Sequence, residues 1–231
     1  MLASLAKAKS CCMPEWKDIL ASLVTLIATF AGAWGAFRFE NRRRKTEEDE
    51  KRIGAANRAL YVIYHYWNLL EQFRKEVLEP HRGRQDAWLN VAAHPAALMP
   101  TNRFQPNDLQ FLLQVEHADT YVTLMLEEER VLLALNLITA RSNLVLNVVF
   151  PRMAGAGIKV GQSMASGQIE DVLGADVTHQ LKEITTAIFK NVEEDLVSLR
   201  AAHDKMHSTM KTLYPDRKFV QILFEESSVA A

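Results

Sequence analysis

Apolar positions fall along this chain in three patterns. From Ile19 to Phe37, nineteen consecutive residues carry no charge and most are apolar. At about 1.5 Å of rise per residue, a helix of that length spans the hydrocarbon of a bilayer. Beyond it, Ile53, Ala56, Leu60, Ile63, Trp67 and Leu70 recur at steps of three and four, beside a second line at Ala59, Val62, Tyr66, Leu69 and Phe73. That spacing predicts a helix with a wide apolar face. No proline lies between Ile19 and Glu79, and past the apolar run only Gly54 weakens the helix, so both patterns are expected on one rod that ends at Pro80 and Gly83. The third pattern fills Thr120 to Phe150, a run without Gly or Pro whose apolar residues surround much of the circumference. It predicts a buried central helix stopped by Pro151. A last long helix follows from Val177, Leu181, Ile184, Ile188, Val192, Leu196 and Leu199, and Tyr214-Pro215 ends it.

The connections are less regular. His81 to Pro106, with Pro95, Pro100 and Pro106, reads as a long loop, tied down by a helical turn over Asp86 to Val91 around Trp88 and Leu89. Asn107 and Asp108 are placed to cap a short helix through Leu109, Phe111, Leu112 and Leu113. Gly155, Gly157 and Gly161 mark a flexible connection; their spacing fits neither a dinucleotide nor a P-loop motif. Ser166 is placed to cap a second short helix, which Gly174 stops. Phe219 to Phe224 suits a strand or a final turn. The expected fold is all-α: a single N-terminal transmembrane helix continuing into a cytoplasmic bundle of three long and about two short helices.

Charge places the apolar run in context. Lys7, Lys9 and Lys17 precede it, whereas Arg38, Arg42, Arg43, Arg44, Lys45, Lys51 and Arg52 follow, and that asymmetry predicts a cytoplasmic C-terminus. A cleaved signal peptide with its site at Ala31-Gly32-Ala33 is the rival. The leader holding Glu15 and Asp18, the continuation through Trp34 and Phe37, and the arginines directly downstream favour a retained anchor. Arg38, Arg42, Arg43, Arg44 and Lys45 are expected at lipid headgroups, which attract each by roughly 1 kcal/mol. Expected segments are 1–18 outside the cell, 19–37 across the inner (plasma) membrane, 38–52 as a charged juxtamembrane helix, 53–224 as one cytoplasmic domain, and 225–231 as a disordered tail. Leaving aside the three lysines and two acids before Arg38, the rest holds 24 Lys plus Arg against 26 Asp plus Glu, a net of −2, which excludes a general nucleic-acid-binding field.

Candidate chemistry is sparse. The only cysteines, Cys11 and Cys12, precede the anchor, so the domain offers neither disulfide nor thiolate. Within the anchor Ser22, Thr25, Ala28, Gly32 and Gly35 or Ala36 make a stripe of small residues that lets a second helix approach. Glu127, Glu128 and Glu129 are expected as an acidic ridge near the start of the central helix, where they complement its dipole. His203, Asp204 and His207 come near a zinc-protease pattern but depart from it at the general base and lack a third ligand. No metal or other cofactor is expected.

Arg200 and His207 are seven apart and nearly eclipsed on a helix. Their Arg-x6-His spacing resembles the signature of HEPN ribonucleases, small helical bundles that pair two such motifs across a dimer. The resemblance covers these few residues and the fold class. It implies acid-base chemistry by His207, phosphate stabilisation by Arg200 and an RNA substrate. Arg58 and His65 repeat the spacing, where an exposed or interface position is the ordinary account. The leading expectation is a single-pass membrane protein that binds the bilayer, copies of itself and a further protein partner, and acts through those contacts. The alternative is a membrane-tethered HEPN-like ribonuclease.

Overall fold

The computed structural model describes residues 16–94, 100–114, 116–158, 166–222 and 224. Cys11, Cys12 and the tail 225–231 lie outside the described residues. Every regular element among the described residues is helical. The chain divides into two compact units, Met1–Lys51 and Arg52–Ala231.

Helix α1 covers Trp16–Phe73 and contributes to both units. In the first unit it is the only described element, and its apolar side chains from Ile19 to Phe39 are exposed. In the second unit it carries the predicted apolar face: Ala56, Leu60, Ile63, Tyr66 and Leu70 are fully buried. A π turn, Arg74–Leu78, and a 3-10 turn, Glu79–His81, with Pro80 near its start, finish it. Buried Arg74 forks onto both oxygens of buried Glu71 at 2.7 and 2.8 Å, a geometry that offsets the cost of burying either charge.

After the short α2 (Ala87–Asn90) and a 3-10 turn (Gln110–Leu113) come α3 (Ala118–Leu144), a π turn (Val145–Val149) and α4 (Phe150–Gly155). α5 is Ser166–Leu173 and α6 is Ala175–Leu213. Gly174 joins them at φ +81°, a left-handed conformation that glycine adopts without strain. Leu124, Val131, Leu135 and Ile138 of α3 meet the α1 face and Ile188, Val192, Leu199 and Met206 of α6 in the main core. Trp88, Val145, Val149, Ile169, Leu173, Val177 and Leu181 form a smaller one.

Four details differ from the expectations. Pro151 does not stop the central helix: the π turn directly before it widens the backbone, and Pro151 enters the first turn of α4, where its missing N–H costs nothing. Glu127 and Glu128 are buried, so the acidic ridge is reduced to Glu129. Asn107 and Asp108 do not cap the short helix, which begins after Leu109; Asp108 instead pairs with Arg58 at 2.6 Å. Residues 218–222 form no strand, and Phe219 is buried while Val220 N–H donates to Asn57 Oδ1 at 3.1 Å.

Candidate functional site

In α1 the apolar run and its collar show their own local chemistry. Thr25 and Thr29 hydroxyls donate to the carbonyls of Ala21 and Thr25, each at 2.8 Å, so both threonine hydroxyls are satisfied within the helix. Ser22, Thr25, Ala28, Gly32 and Ala36 are all exposed, and apart from the adjoining residues and backbone of the helix itself no described atom lies within 4 Å of where a side chain on Gly32 or Gly35 would begin. The Arg38 guanidinium sits 5.1 Å from the centre of the Trp34 ring, a cation–π contact at the boundary between apolar and charged sequence. Arg43 pairs with Glu47 at 2.9 Å and Arg44 with Glu40 at 3.1 Å; Arg42 and Lys45 are exposed.

On α6, Arg200 is exposed and His207 is half-buried two turns later. His207 stacks on buried His203 at 6.1 Å, and Phe219 and Phe224 of the C-terminal segment close edge-on over His207 and His203. Desolvation, then the neighbouring His203, lowers the pKa of His207, favouring a neutral ring. Nδ1–H of His203 donates to Asp204 Oδ1 at 3.2 Å, and its buried Nε2 has no hydrogen-bond partner among the described residues. No group of three or more His, Cys, Asp or Glu able to hold a metal occurs among the described residues. Arg58 is held by Asp108, and His65 stacks on Tyr61.

The densest buried polar chemistry lies between α3 and α6. Glu127 accepts from Arg130 at 2.8 Å and from Ser198 at 2.5 Å. Asp195, 5 % exposed, has one oxygen without a hydrogen-bond partner among the described residues. Burial and then the Glu127 charge push its carboxyl up to about 6. Glu128 accepts from Arg103 at 2.7 Å and from the buried Tyr66 hydroxyl at 3.1 Å; desolvation and that carboxylate raise the Tyr66 phenol.

Arg141 is 2 % exposed, and its hydrogen bonds go to neutral acceptors. Nε donates to Thr185 Oγ1 at 2.9 Å, Nη2 to the Trp88 carbonyl at 2.9 Å and Nη1 to the Ala92 carbonyl at 3.3 Å. Burial pushes its pKa down to about 10. The guanidinium therefore fastens the segment Trp88–Ala92 to the bundle.

No family model matches this chain, and neither the curated proteins nor the solved structures provide a significant match.

Arg141 and Asp195 are charged types that ordinarily lie at the surface, so residue type alone does not place them in the core. Their phase carried a signal: Arg141 lies in register with Ala134, Ile138 and Val145, and Asp195 with Ile188, Val192 and Leu199. A charge in phase with an apolar stripe faces the core.

Proposed function

We propose that this chain is a single-pass membrane protein whose helical domain works at the cytoplasmic face by assembling with copies of itself and docking a protein partner. One observation carries the reading: every residue of the apolar run of α1 is exposed, and an arginine-rich collar follows directly. Apolar side chains left in water forgo roughly 1.5–3 kcal/mol each, so such a surface needs lipid or another apolar helix. Both are provided for, by a length that matches hydrocarbon and by a stripe of small residues that admits a neighbour. The second long apolar helix, α3, has 39 % of its apolar window buried in the bundle and serves as a core element.

The test is fractionation and topology of the full-length chain. The expected protein resists alkaline extraction from membranes, carries a C-terminal reporter active in the cytosol, and cross-links as an oligomer. Release into the aqueous fraction, or an external C-terminus, refutes the anchor. A strictly monomeric state in membranes refutes the assembly. Gly32→Leu is expected to weaken association where the small-residue face is the contact.

A further inference from the structure

On the side of α3 turned away from the core, past exposed Asp119 at its start, a line of apolar residues runs between exposed polar ones. At about 100° per residue, Val122, Leu126, Leu133, Leu137, Ala140 and Leu144 all fall within about 30° of one line along the helix. Val122, Leu126 and Leu133 are 51, 47 and 56 % exposed and Ala140 is exposed, whereas Leu137 and Leu144, at one edge of the stripe, are half-buried and pack against the main and the smaller core. Glu129 and Arg130 flank this line on opposite sides, each about 50° away, and both are exposed.

We infer that this stripe is an interface with a second copy of the same chain, packed as a parallel helix pair about a two-fold axis. The flanking charges select both partner and direction. In a parallel two-fold pair, residues on opposite sides of the seam meet across it, so Glu129 of one copy faces Arg130 of the other at the same level. An antiparallel pair would bring Glu129 against Glu129 and Arg130 against Arg130, which is repulsive. Arg130 also bridges to Glu127 within its own chain, yet its side chain remains 55 % exposed for a second carboxylate. The inference rests on the proposed self-assembly and assigns a contact to it outside the anchor.

The experiment uses full-length chain in native membranes with Cys11 and Cys12 replaced by serine. Single Leu126→Cys and Leu133→Cys variants are oxidised before solubilisation. In the parallel pair each residue meets its own counterpart, so both are expected to form disulfide-linked dimers. When the two variants are co-expressed, a 126–133 cross-link is expected to be absent, because about 10 Å of helix rise separates those levels. Leu133→Glu, whose side chain points outward, is expected to raise the dissociation constant at least about tenfold with helicity unchanged. Glu129→Arg is also expected to weaken association. Oligomers that form without cross-links at either cysteine overturn the α3 interface and leave self-assembly standing; a monomer overturns both. Efficient 126–133 linkage overturns the parallel arrangement.

Discussion

Replacing Arg141 by methionine sets two large terms against each other. The substitution keeps most of the aliphatic volume and removes the guanidinium, so it recovers the cost of burying that charge. From the drop of its pKa to about 10, that cost is about 3 kcal/mol at 1.36 kcal/mol per unit. Against it stand three hydrogen bonds from a charged donor, to Thr185, Trp88 and Ala92, worth roughly 1.5–3 kcal/mol each. The acceptors lose their partner, although Thr185 still donates its own proton to the Leu181 carbonyl at 2.7 Å. The bonds outweigh the desolvation, and Arg141→Met is expected to destabilise the domain by about 2–5 kcal/mol, or about 5–15 °C in melting temperature. Thermal unfolding of the full-length protein in mild detergent, followed by circular dichroism, reads the size of the effect. Hydrogen exchange reads its place: the amides around Trp88–Ala92 should lose protection before those of α6. A neutral or stabilising Arg141→Met would refute the reasoning, because burial of the charge would then dominate its bonds.

Asp195 gives a pH dependence of definite sign. Its carboxyl holds its proton up to about 6 in the folded state against 3.8 ordinarily, so the native state binds the extra proton in that interval. The contribution is full below about pH 4 and is lost as pH rises through about 6, a total near 3 kcal/mol at pH 7; Asp195→Asn should flatten this slope in urea titrations and raise the neutral-pH midpoint. Tyr66→Phe removes a buried donor to Glu128 and should cost about 1–2 kcal/mol in the same assay, with no cost refuting the network. Purified full-length protein is expected to leave RNA intact. Cleavage that His207→Ala and Arg200→Ala abolish without loss of helicity would replace the binding reading by a ribonuclease.

The helices were legible because their apolar residues keep a period near 3.6 over many turns, as from Ile53 to Leu70 and from Val177 to Leu199. Local chemistry decided what was not. Pro151 is tolerated because the preceding turn widens, an adjustment that the residue type does not announce. Asp108 gave up a cap for an ion pair with Arg58, fifty positions earlier, which only tertiary packing brings near. The arginine collar and small-residue stripe were visible as composition, whereas the polar contacts of Arg141 depend on where Trp88 and Ala92 fold back.

Among the described residues two helices carry apolar runs long enough for a bilayer, and their surroundings differ. In the α1 run no side chain is buried, and the large apolar residues lie on one side with the stripe of small residues on the other, so one side suits lipid and the other suits a neighbouring helix. On α3 the inner side is already taken by Leu124, Val131, Leu135 and Ile138 in the core. The outer stripe is bordered by Glu129, Arg130 and Asn136, and a charged side chain at the centre of a membrane-spanning helix costs about 2.5–3.5 kcal/mol. Lipid is therefore a poor match for that strip, and a second helix with the same charge order is a good one. The proposed anchor would confine copies to one plane and raise their effective concentration, so that even a narrow seam on α3 would suffice for the proposed pairing, which would be weak between freely diffusing domains. Detaching residues 1–37 should accordingly weaken the Leu133→Cys cross-link far more than it alters the helicity of the domain.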